Sequence, residues 1–219
     1  MLSERLARIE ERIQQAAHRA GRPRDQITLV AVTKTFPAAV TREAYALGLR
    51  HFGENYVQEF ERKAPELAGL SEARFHFLGH LQSNKARLAS ELFHAIDSVD
   101  SDKLARKLND IGVPQNVMLE VRLGDEASKS GVDPEALPAL VEAVRACSNL
   151  TLRGLMTMPP FADDPEESRP YFRQLHRLAG RHGLSCLSMG MSQDFEIAIE
   201  EGATQVRIGT ALFGPRQKA

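Results

Sequence analysis

The sequence predicts a single-domain (β/α)8 TIM barrel, in which eight parallel strands alternate with surrounding helices. Short β-rich runs, turns and amphipathic helical stretches recur with a period of about 25 residues. Eight parallel strands joined by right-handed crossovers close into a filled barrel, and an open doubly wound sheet is the competing arrangement. The barrel is favoured because the chain opens with a long amphipathic helix, Leu2 to Ala20, and stops soon after the eighth strand. We expect this helix to cover the wall that a final helix would otherwise cover.

The predicted strands are apolar or β-branched runs that end at turn residues. The first is a continuous run typical of a buried parallel strand. In order, the predicted strands are Ile27 to Thr33, Arg50 to Gly53, Arg74 to Leu78, Ala95 to Val99, Asn116 to Val121, Leu152 to Met156, Ser185 to Ser188 and Thr204 to Ile208.

The helices between these strands have recognisable ends. Asp133-Pro134-Glu135 and Asp164-Pro165-Glu166 each place an N-cap Asp before a Pro at the first helical position. Gly48, Gly183 and Gly202 stand where a left-handed residue commonly ends a helix.

Length and charge limit the function classes. The 219 residues, of which 42% are hydrophobic, fit one domain over 1–219 with one core. The 28 basic and 29 acidic side chains are interspersed, so we expect binding neither to nucleic acid nor to a membrane. No segment resembles a signal peptide or a membrane span, which predicts a cytoplasmic protein.

The cysteines and histidines predict neither a redox site nor a metal site. Cys147 and Cys186 lack a C-x-x-C spacing, so two reduced, partly buried thiols are expected. The seven histidines form no H-E-x-x-H motif or Cys/His cluster.

A lysine at the end of the first strand is the leading candidate for chemistry. Lys34 stands where the apolar run gives way to Thr35-Phe36-Pro37, and in a barrel the carboxyl ends of the strands form the active-site mouth. A lone lysine at a strand end is usually solvated. Desolvation or a neighbouring cation would lower its pKa from the usual value of about 10.4 and allow the amine to attack an aldehyde.

The segments after strands seven and eight predict a phosphate site. Gly209 allows close backbone approach, Thr210 adds a hydroxyl, and a short helical turn there would present N–H groups to an anion. Ser192 either caps the following helix, Gln193 to Glu201, or donates to the same phosphate. Each signal is weak alone, but in a closed barrel these residues are neighbours of Lys34. A phosphorylated aldehyde held there could reach the amine.

Longer motifs resemble the pyridoxal phosphate homeostasis proteins over nearly the whole chain. Two departures, Thr33 for a frequent serine and Phe75 for a frequent tryptophan, remove no group that the chemistry needs. In order, the motifs are Ala31-Val32-Thr33-Lys34-Thr35, Phe52-Gly53-Glu54-Asn55-Tyr56-Val57-Gln58-Glu59, His76-Phe77-Leu78-Gly79-His80-Leu81-Gln82-Ser83-Asn84-Lys85, Ser98-Val99-Asp100-Ser101, Ser128-Lys129-Ser130-Gly131, Gly154-Leu155-Met156-Thr157-Met158, Leu187-Ser188-Met189-Gly190-Met191-Ser192 and Val206-Arg207-Ile208-Gly209-Thr210.

That family resembles the barrel domain of alanine racemase, a fold-type III barrel for the vitamin B6 cofactor pyridoxal 5'-phosphate (PLP). The resemblance implies that Lys34 carries PLP as a Schiff base. It also implies that Ser192, Gly209 and Thr210 hold the phosphate.

Three further residues are assigned to the cofactor ring by the same resemblance. Arg207 would lie beside the pyridine nitrogen, as the matching arginine does in the racemase. Asn55 would approach the ring substituents, and Met158 would lie against the ring face.

The resemblance and the chemistry together favour a carrier over an enzyme. An arginine beside the ring nitrogen keeps that nitrogen unprotonated and weakens the ring as an electron sink. The racemase takes its second acid/base, a tyrosine, from an additional domain that we do not find here. We therefore expect a non-catalytic carrier and buffer of intracellular PLP, as a monomer or weak dimer, with PLP-dependent apoenzymes or salvage enzymes as recipients. The alternatives are a PLP-dependent amino-acid racemase or related PLP enzyme, and a Schiff-base aldolase acting on sugar phosphates.

Two more lysines lie in loops that resemble the family. Lys85 and Lys129 are expected to be solvated loop residues, and the alternative is a role in the entry or exit of PLP.

Overall fold

The computed structural model describes residues 1–124 and 130–215, in which eight parallel strands close into a barrel. Each strand pairs with its neighbours in sequence, and β8 pairs with β1 to complete the ring. This closure confirms the predicted barrel and excludes the open sheet. The strands are β1 (Thr28–Val32), β2 (His51–Glu54), β3 (Arg74–Phe77), β4 (Ala95–Val99), β5 (Gln115–Glu120), β6 (Leu150–Met156), β7 (Cys186–Ser188) and β8 (Gln205–Ile208).

Helices surround the barrel, and short 3-10 turns precede β1, α4 and α7. None of the described helices is long and apolar enough to cross a bilayer. The helices are α1 (Leu2–Arg19), α2 (Ala38–Ala46), α3 (Val57–Leu67), α4 (Ala86–Leu92), α5 (Asp102–Asn109), α6 (Leu137–Arg145), α7 (Arg169–Arg181), α8 (Phe195–Glu200) and α9 (Thr210–Phe213).

Helix α1 lies against α8 and α9, the helices on either side of β8 in the chain. Its Ile9 and Ile13 side chains are buried in the hydrophobic core. On its outer side, Arg12 pairs with Glu196 of α8 at 2.7 Å. The first helix therefore covers the barrel beside β8, as the sequence predicted.

The predicted helix ends are partly right. Gly48, Gly183 and Gly202 have positive φ angles of 98°, 63° and 103°, as expected after a helix. Asp164 accepts a hydrogen bond from the Glu166 N–H at 2.9 Å and so caps the 3-10 turn that leads into α7.

The predicted N-cap at Asp133 is wrong. Helix α6 begins at Leu137, after Ala136 as its N-cap residue. The Asp133 carboxylate instead accepts from Arg122 at 2.7 Å, and its carbonyl accepts from the Ala136 and Leu137 N–H groups. The Asp-Pro pair thus starts a turn that precedes the helix, because its carboxylate is taken by a partner outside the helix.

Aromatic side chains fix the position of α3 against the barrel wall. The Phe60 ring of α3 lies 4.6 Å from the Phe75 ring of β3 and 4.8 Å from the Phe93 ring, between ring centroids. Tilted ring pairs at such distances add to the stability gained from burial. Helix α3 is therefore held firmly beside β2 and β3.

The two cysteines are free thiols, as expected. Cys147 is buried and Cys186 is partly buried.

Candidate cofactor-binding site

A cavity of about 940 Å³ opens where the loops leave the carboxyl ends of the strands. Parallel barrels place their binding sites at this end. Seven side chains or backbone positions predicted from the sequence to bind PLP all line this one cavity: Lys34, Asn55, Met158, Ser192, Arg207, Gly209 and Thr210.

Lys34 lies in a tight turn between β1 and α2. The Phe36 N–H donates to the Thr33 carbonyl at 3.1 Å, so Lys34 and Thr35 are the two central residues of the turn. Thr35 has a positive φ of 67°, a conformation that a type II turn requires at this position and that usually selects glycine or asparagine. The turn directs the lysine into the cavity.

Ser192 joins the loop after β7 to the turn after β8. Its hydroxyl accepts a hydrogen bond from the Ala211 N–H at 3.2 Å, in the first turn of α9. Ser192 does not cap the next helix, because α8 begins at Phe195 and its N-cap residue is Asp194. The structure therefore brings Ser192 beside Thr210, as the phosphate interpretation requires.

Arg207 is a buried cation on β8, only 4% exposed. Its guanidinium donates to the Ser188 hydroxyl at 2.9 Å and to the Thr157 carbonyl at 2.8 Å. Burial lowers the pKa of Arg207, and the carboxylate of Asp97 opposes that effect. These contacts fix the plane of the guanidinium at the floor of the cavity.

Asn55 lies just beyond β2, in close contact with the loop after β3. A Cβ atom placed on Gly79 would lie 2.2 Å from the Asn55 carbonyl oxygen, so only glycine fits there. The close approach fixes Asn55 at the cavity wall. Met158 follows β6 and is 37% exposed at the cavity mouth.

Comparisons with known proteins agree with this geometry. Residues 5–217 match the family model described as alanine racemase, N-terminal domain. A pyridoxal phosphate homeostasis protein of Pseudomonas aeruginosa is 50% identical over 98% of this chain and 96% of its own. This chain belongs to the pyridoxal phosphate homeostasis protein family. A second relative of that name, from Aquifex aeolicus, is 45% identical over 98% of both chains.

Solved structures extend the similarity. The structure of PipY of Synechococcus elongatus with PLP bound has a TM-score of 0.86 at 40% identity, over 98% of this chain and 100% of that chain. Alanine racemase of Corynebacterium glutamicum has a TM-score of 0.69 at 20% identity, over 95% of this chain and 60% of that chain. The racemase shares the barrel fold with this family.

A chain of buried polar side chains crosses the barrel interior of this family member and was missed by sequence analysis. Gln205 donates to the Asp97 carboxylate at 2.6 Å and to the Ser188 hydroxyl at 3.0 Å. His76 lies 3.3 Å from the same Asp97 oxygen and 3.0 Å from the His51 ring nitrogen. Burial, reinforced by the His76 charge, lowers the pKa of His51 to about 4.

These hydrogen-bonded side chains hold Arg207 from the barrel interior. Through Ser188 and Gln205, the Arg207 guanidinium is connected to the Asp97 carboxylate, whose charge opposes the effect of burial on the pKa of Arg207. A signal was present in the sequence, because polar residues interrupt the otherwise apolar strands β3, β4 and β8.

Glu120, at the end of β5, is a further cavity residue that sequence analysis missed. It is 3% exposed and lines the cavity. Burial, reinforced by the nearby Asp100 carboxylate, raises the pKa of Glu120 to about 7, and the Arg207 charge partly opposes the rise. The family member therefore carries a carboxyl group that titrates near neutral pH inside its cavity.

Of the two loop lysines, Lys85 is not among the described residues that line the cavity. Lys85 ends a 3-10 turn before α4 and is partly exposed. Lys129 lies outside the described residues, so its prediction stays untested.

Proposed function

We propose that this protein binds PLP through a Schiff base between Lys34 and the cofactor aldehyde, and that it acts as a non-catalytic carrier and buffer of intracellular PLP. The observation that carries the proposal is that Lys34, Arg207, Ser192 and Thr210 line one cavity. The names of the relatives and the PLP bound to PipY support the same cofactor.

The donor groups of the cavity fit each part of PLP. The hydroxyls of Ser192 and Thr210 and the backbone at Gly209 suit a phosphate, which is bound in proteins by hydroxyl and N–H donors. Lys34 supplies the amine that captures an aldehyde once the amine is uncharged. PLP itself supplies an electrophilic aldehyde and an aromatic ring that withdraws electrons.

Arg207 favours a carrier over an enzyme. A guanidinium stays protonated and has only donors, so a ring nitrogen beside it acts as an acceptor and remains unprotonated. An unprotonated ring withdraws electrons less strongly from a bound amino acid. The bonds from Arg207 to Ser188 and Thr157 hold this arrangement in place.

Glu120 supports the second candidate, a PLP-dependent amino-acid racemase. Racemisation needs a proton donor and acceptor on both faces of the substrate, and a carboxyl group with a pKa of about 7 can exchange a proton at neutral pH. Single amino-acid enantiomers incubated with wild-type protein and with Lys34→Ala decide between the two. We expect no change of enantiomer; turnover by the wild type alone contradicts the carrier proposal.

The direct test of the proposal is trapping of the cofactor on its lysine. Protein loaded with PLP should be yellow, lose that absorbance on borohydride reduction and carry a pyridoxyl group on Lys34 by mass spectrometry. Lys34→Ala should lose the adduct, whereas Lys85→Ala should keep it, because Lys85 is not among the described residues of the cavity. A colourless protein that forms a reducible adduct only with a sugar phosphate supports the aldolase alternative instead.

The recipients of PLP are proposed to be apoenzymes or salvage enzymes. The rate at which loaded protein reactivates a PLP-dependent apoenzyme measures this transfer. Release at the rate of simple dissociation indicates buffering alone, and faster release indicates direct transfer. Light scattering on the same samples tests the expected monomer or weak dimer.

A further inference from the structure

We propose that Lys63 of α3, together with Glu54 and Glu59, is a positioning group that fixes the turn carrying Lys34. The inference rests on the proposed function of Lys34 and assigns the residues that hold its amine in place. None of the three was identified from the sequence as part of the site.

The turn needs external support because of its backbone. Lys34 is followed by Thr35 at a φ of 67°, a left-handed conformation that strains a threonine relative to glycine. The hydrogen bond that closes the turn, from the Phe36 N–H to the Thr33 carbonyl, does not involve the amide of Thr35. A strained conformation of this kind persists only where surrounding groups impose it.

Lys63 contacts both ends of the turn. Its ammonium donates to the Thr33 carbonyl at 3.2 Å and to the Phe36 carbonyl at 3.2 Å, the residues on either side of the central pair. The third donor of Lys63 goes to Glu54 Oε1 at 2.8 Å. The ammonium thus bridges the start and the end of the turn and links both to β2.

Two carboxylates complete the support. Glu54 Oε1 also accepts from the Thr33 hydroxyl at 2.9 Å. Glu59 accepts from the Thr35 N–H at 2.7 Å and pairs with the Lys63 ammonium at 2.8 Å. Thr35, the residue with the positive φ, is therefore held through its own amide by Glu59. Glu59 lies one turn before Lys63 on α3.

The burial of these groups argues for a role beyond stability. Lys63 is 8% exposed and Glu54 is fully buried, with its Oε2 atom lacking a hydrogen-bond partner among the described residues. Burial raises the pKa of Glu54, and the Lys63 charge opposes that rise. Well-packed apolar residues stabilise a fold as well as a buried ion pair does, so stability alone does not explain these charges. All three side chains contact residues of the turn that contains Lys34.

The functional consequence is separate control of covalent and non-covalent binding. Residues after β7 and β8 bind the phosphate, whereas the Lys63 group determines where the amine lies. A displaced amine reacts less often with a correctly bound aldehyde. Loss of the Lys63 group should therefore weaken Schiff-base formation and leave binding of the phosphate and ring unchanged.

The test compares PLP with deoxypyridoxine phosphate, which has the same ring and phosphate but no aldehyde. Folding of each variant is checked by circular dichroism. We expect Lys63→Met to weaken PLP binding about tenfold, because a displaced Lys34 amine forms the Schiff base less readily, without changing affinity for deoxypyridoxine phosphate. Lys103→Met, at an exposed lysine of α5, is the matched control and should bind both ligands as wild type does.

A second pair of variants keeps the test decisive if Lys63→Met does not fold. Glu59→Gln removes the charge at the Thr35 amide, and Glu61→Gln does the same at an exposed position of the same helix. We expect weaker PLP binding only in Glu59→Gln, and recovery when Thr35→Gly is added, because glycine adopts positive φ without strain.

Two results overturn the inference. Affinities for both ligands that fall in parallel indicate a general loss of cavity structure. Unchanged affinity for PLP in folded Lys63→Met and Glu59→Gln removes these residues from the site. Failure of the proposed function looks different, because the wild type itself then binds both ligands equally and yields no borohydride-trapped Lys34.

Discussion

The Ser192 hydroxyl accepts a hydrogen bond from the Ala211 N–H at 3.2 Å. This bond links the loop after β7 to the first turn of α9, which follows β8. The same hydroxyl lines the cavity beside Thr210. One side chain therefore both joins the two segments after β7 and β8 and offers a donor to the cavity, since a hydroxyl donates and accepts at once.

Ser192→Ala should weaken binding of PLP about tenfold, because it removes one donor to a charged phosphate. Binding of pyridoxal, which lacks the phosphate, should change little. Fluorescence or absorbance titration with the two compounds measures the difference. Ser71→Ala, at an exposed serine, is the control. An equal loss for both compounds contradicts a phosphate role for Ser192.

Glu120 predicts a pH dependence of stability. Its pKa rises from 4.5 to about 7 on folding, so the folded protein binds the extra proton between these values. The stabilisation is complete below about pH 4.5 and is lost as the pH rises through about 7, by about 3 kcal/mol at most.

Urea unfolding of wild type and Glu120→Gln at pH 5 and pH 8 measures this loss. We expect the glutamine variant to gain stability relative to wild type at pH 8. Subtraction of the two proteins removes the opposite contribution of His51, whose low pKa disfavours the folded state as the pH falls. A difference between the proteins that does not vary with pH contradicts the assignment.

Gly79→Ala should destabilise the protein by about 1–3 kcal/mol, because the new methyl group meets backbone that must shift. The clash is with the Asn55 carbonyl oxygen, at 2.2 Å. Thermal unfolding measures the loss of stability. Gly69→Ala, where an added Cβ meets nothing within 4 Å, is the matched control and should unfold near the wild-type temperature.

Gln205→Leu should cost about 2–3 kcal/mol of stability, because it removes the amide donor from a buried carboxylate. That carboxylate is Asp97, whose second oxygen already lacks a partner among the described residues. Urea unfolding measures the cost. Gln14→Leu, on the exposed face of α1, should change stability by less than about 0.5 kcal/mol. A neutral Gln205→Leu would show that the buried polar chain is not needed for the fold.

The fold was predictable because its signals are local. Runs such as Ile27 to Thr33 and Ala95 to Val99 predict buried strands. The observed strands agree with the predicted ones to within two residues at each end. The start of α6 was not predictable in the same way. Asp133 has the right neighbours for a cap, but the distant Arg122 takes its carboxylate.

The candidate site was partly predictable because strand ends meet at one end of a barrel. That rule brings Lys34 together with Gly209 and Thr210, and the structure places them on one cavity. The roles of the three residues in binding PLP remain predictions. Glu120 and Lys63 could not be identified, because their importance arises from burial and from contacts with residues on other elements.

Closure of the ring by β8 on β1 also determines when the protein becomes competent during synthesis. Thr28 of β1 pairs with Gln205 of β8. The first strand to be synthesised therefore cannot complete its pairing until the last strand has left the ribosome. Contacts between such distant segments form late in folding. Until β8 has been made and has paired with β1, Arg207 is not in place and the Ser192 to Ala211 hydrogen bond cannot form. A nascent chain that ends before β8 carries Lys34 only as an ordinary exposed amine. Under the proposed function, capture of PLP by Lys34 therefore requires that β8 has been translated and has closed the barrel.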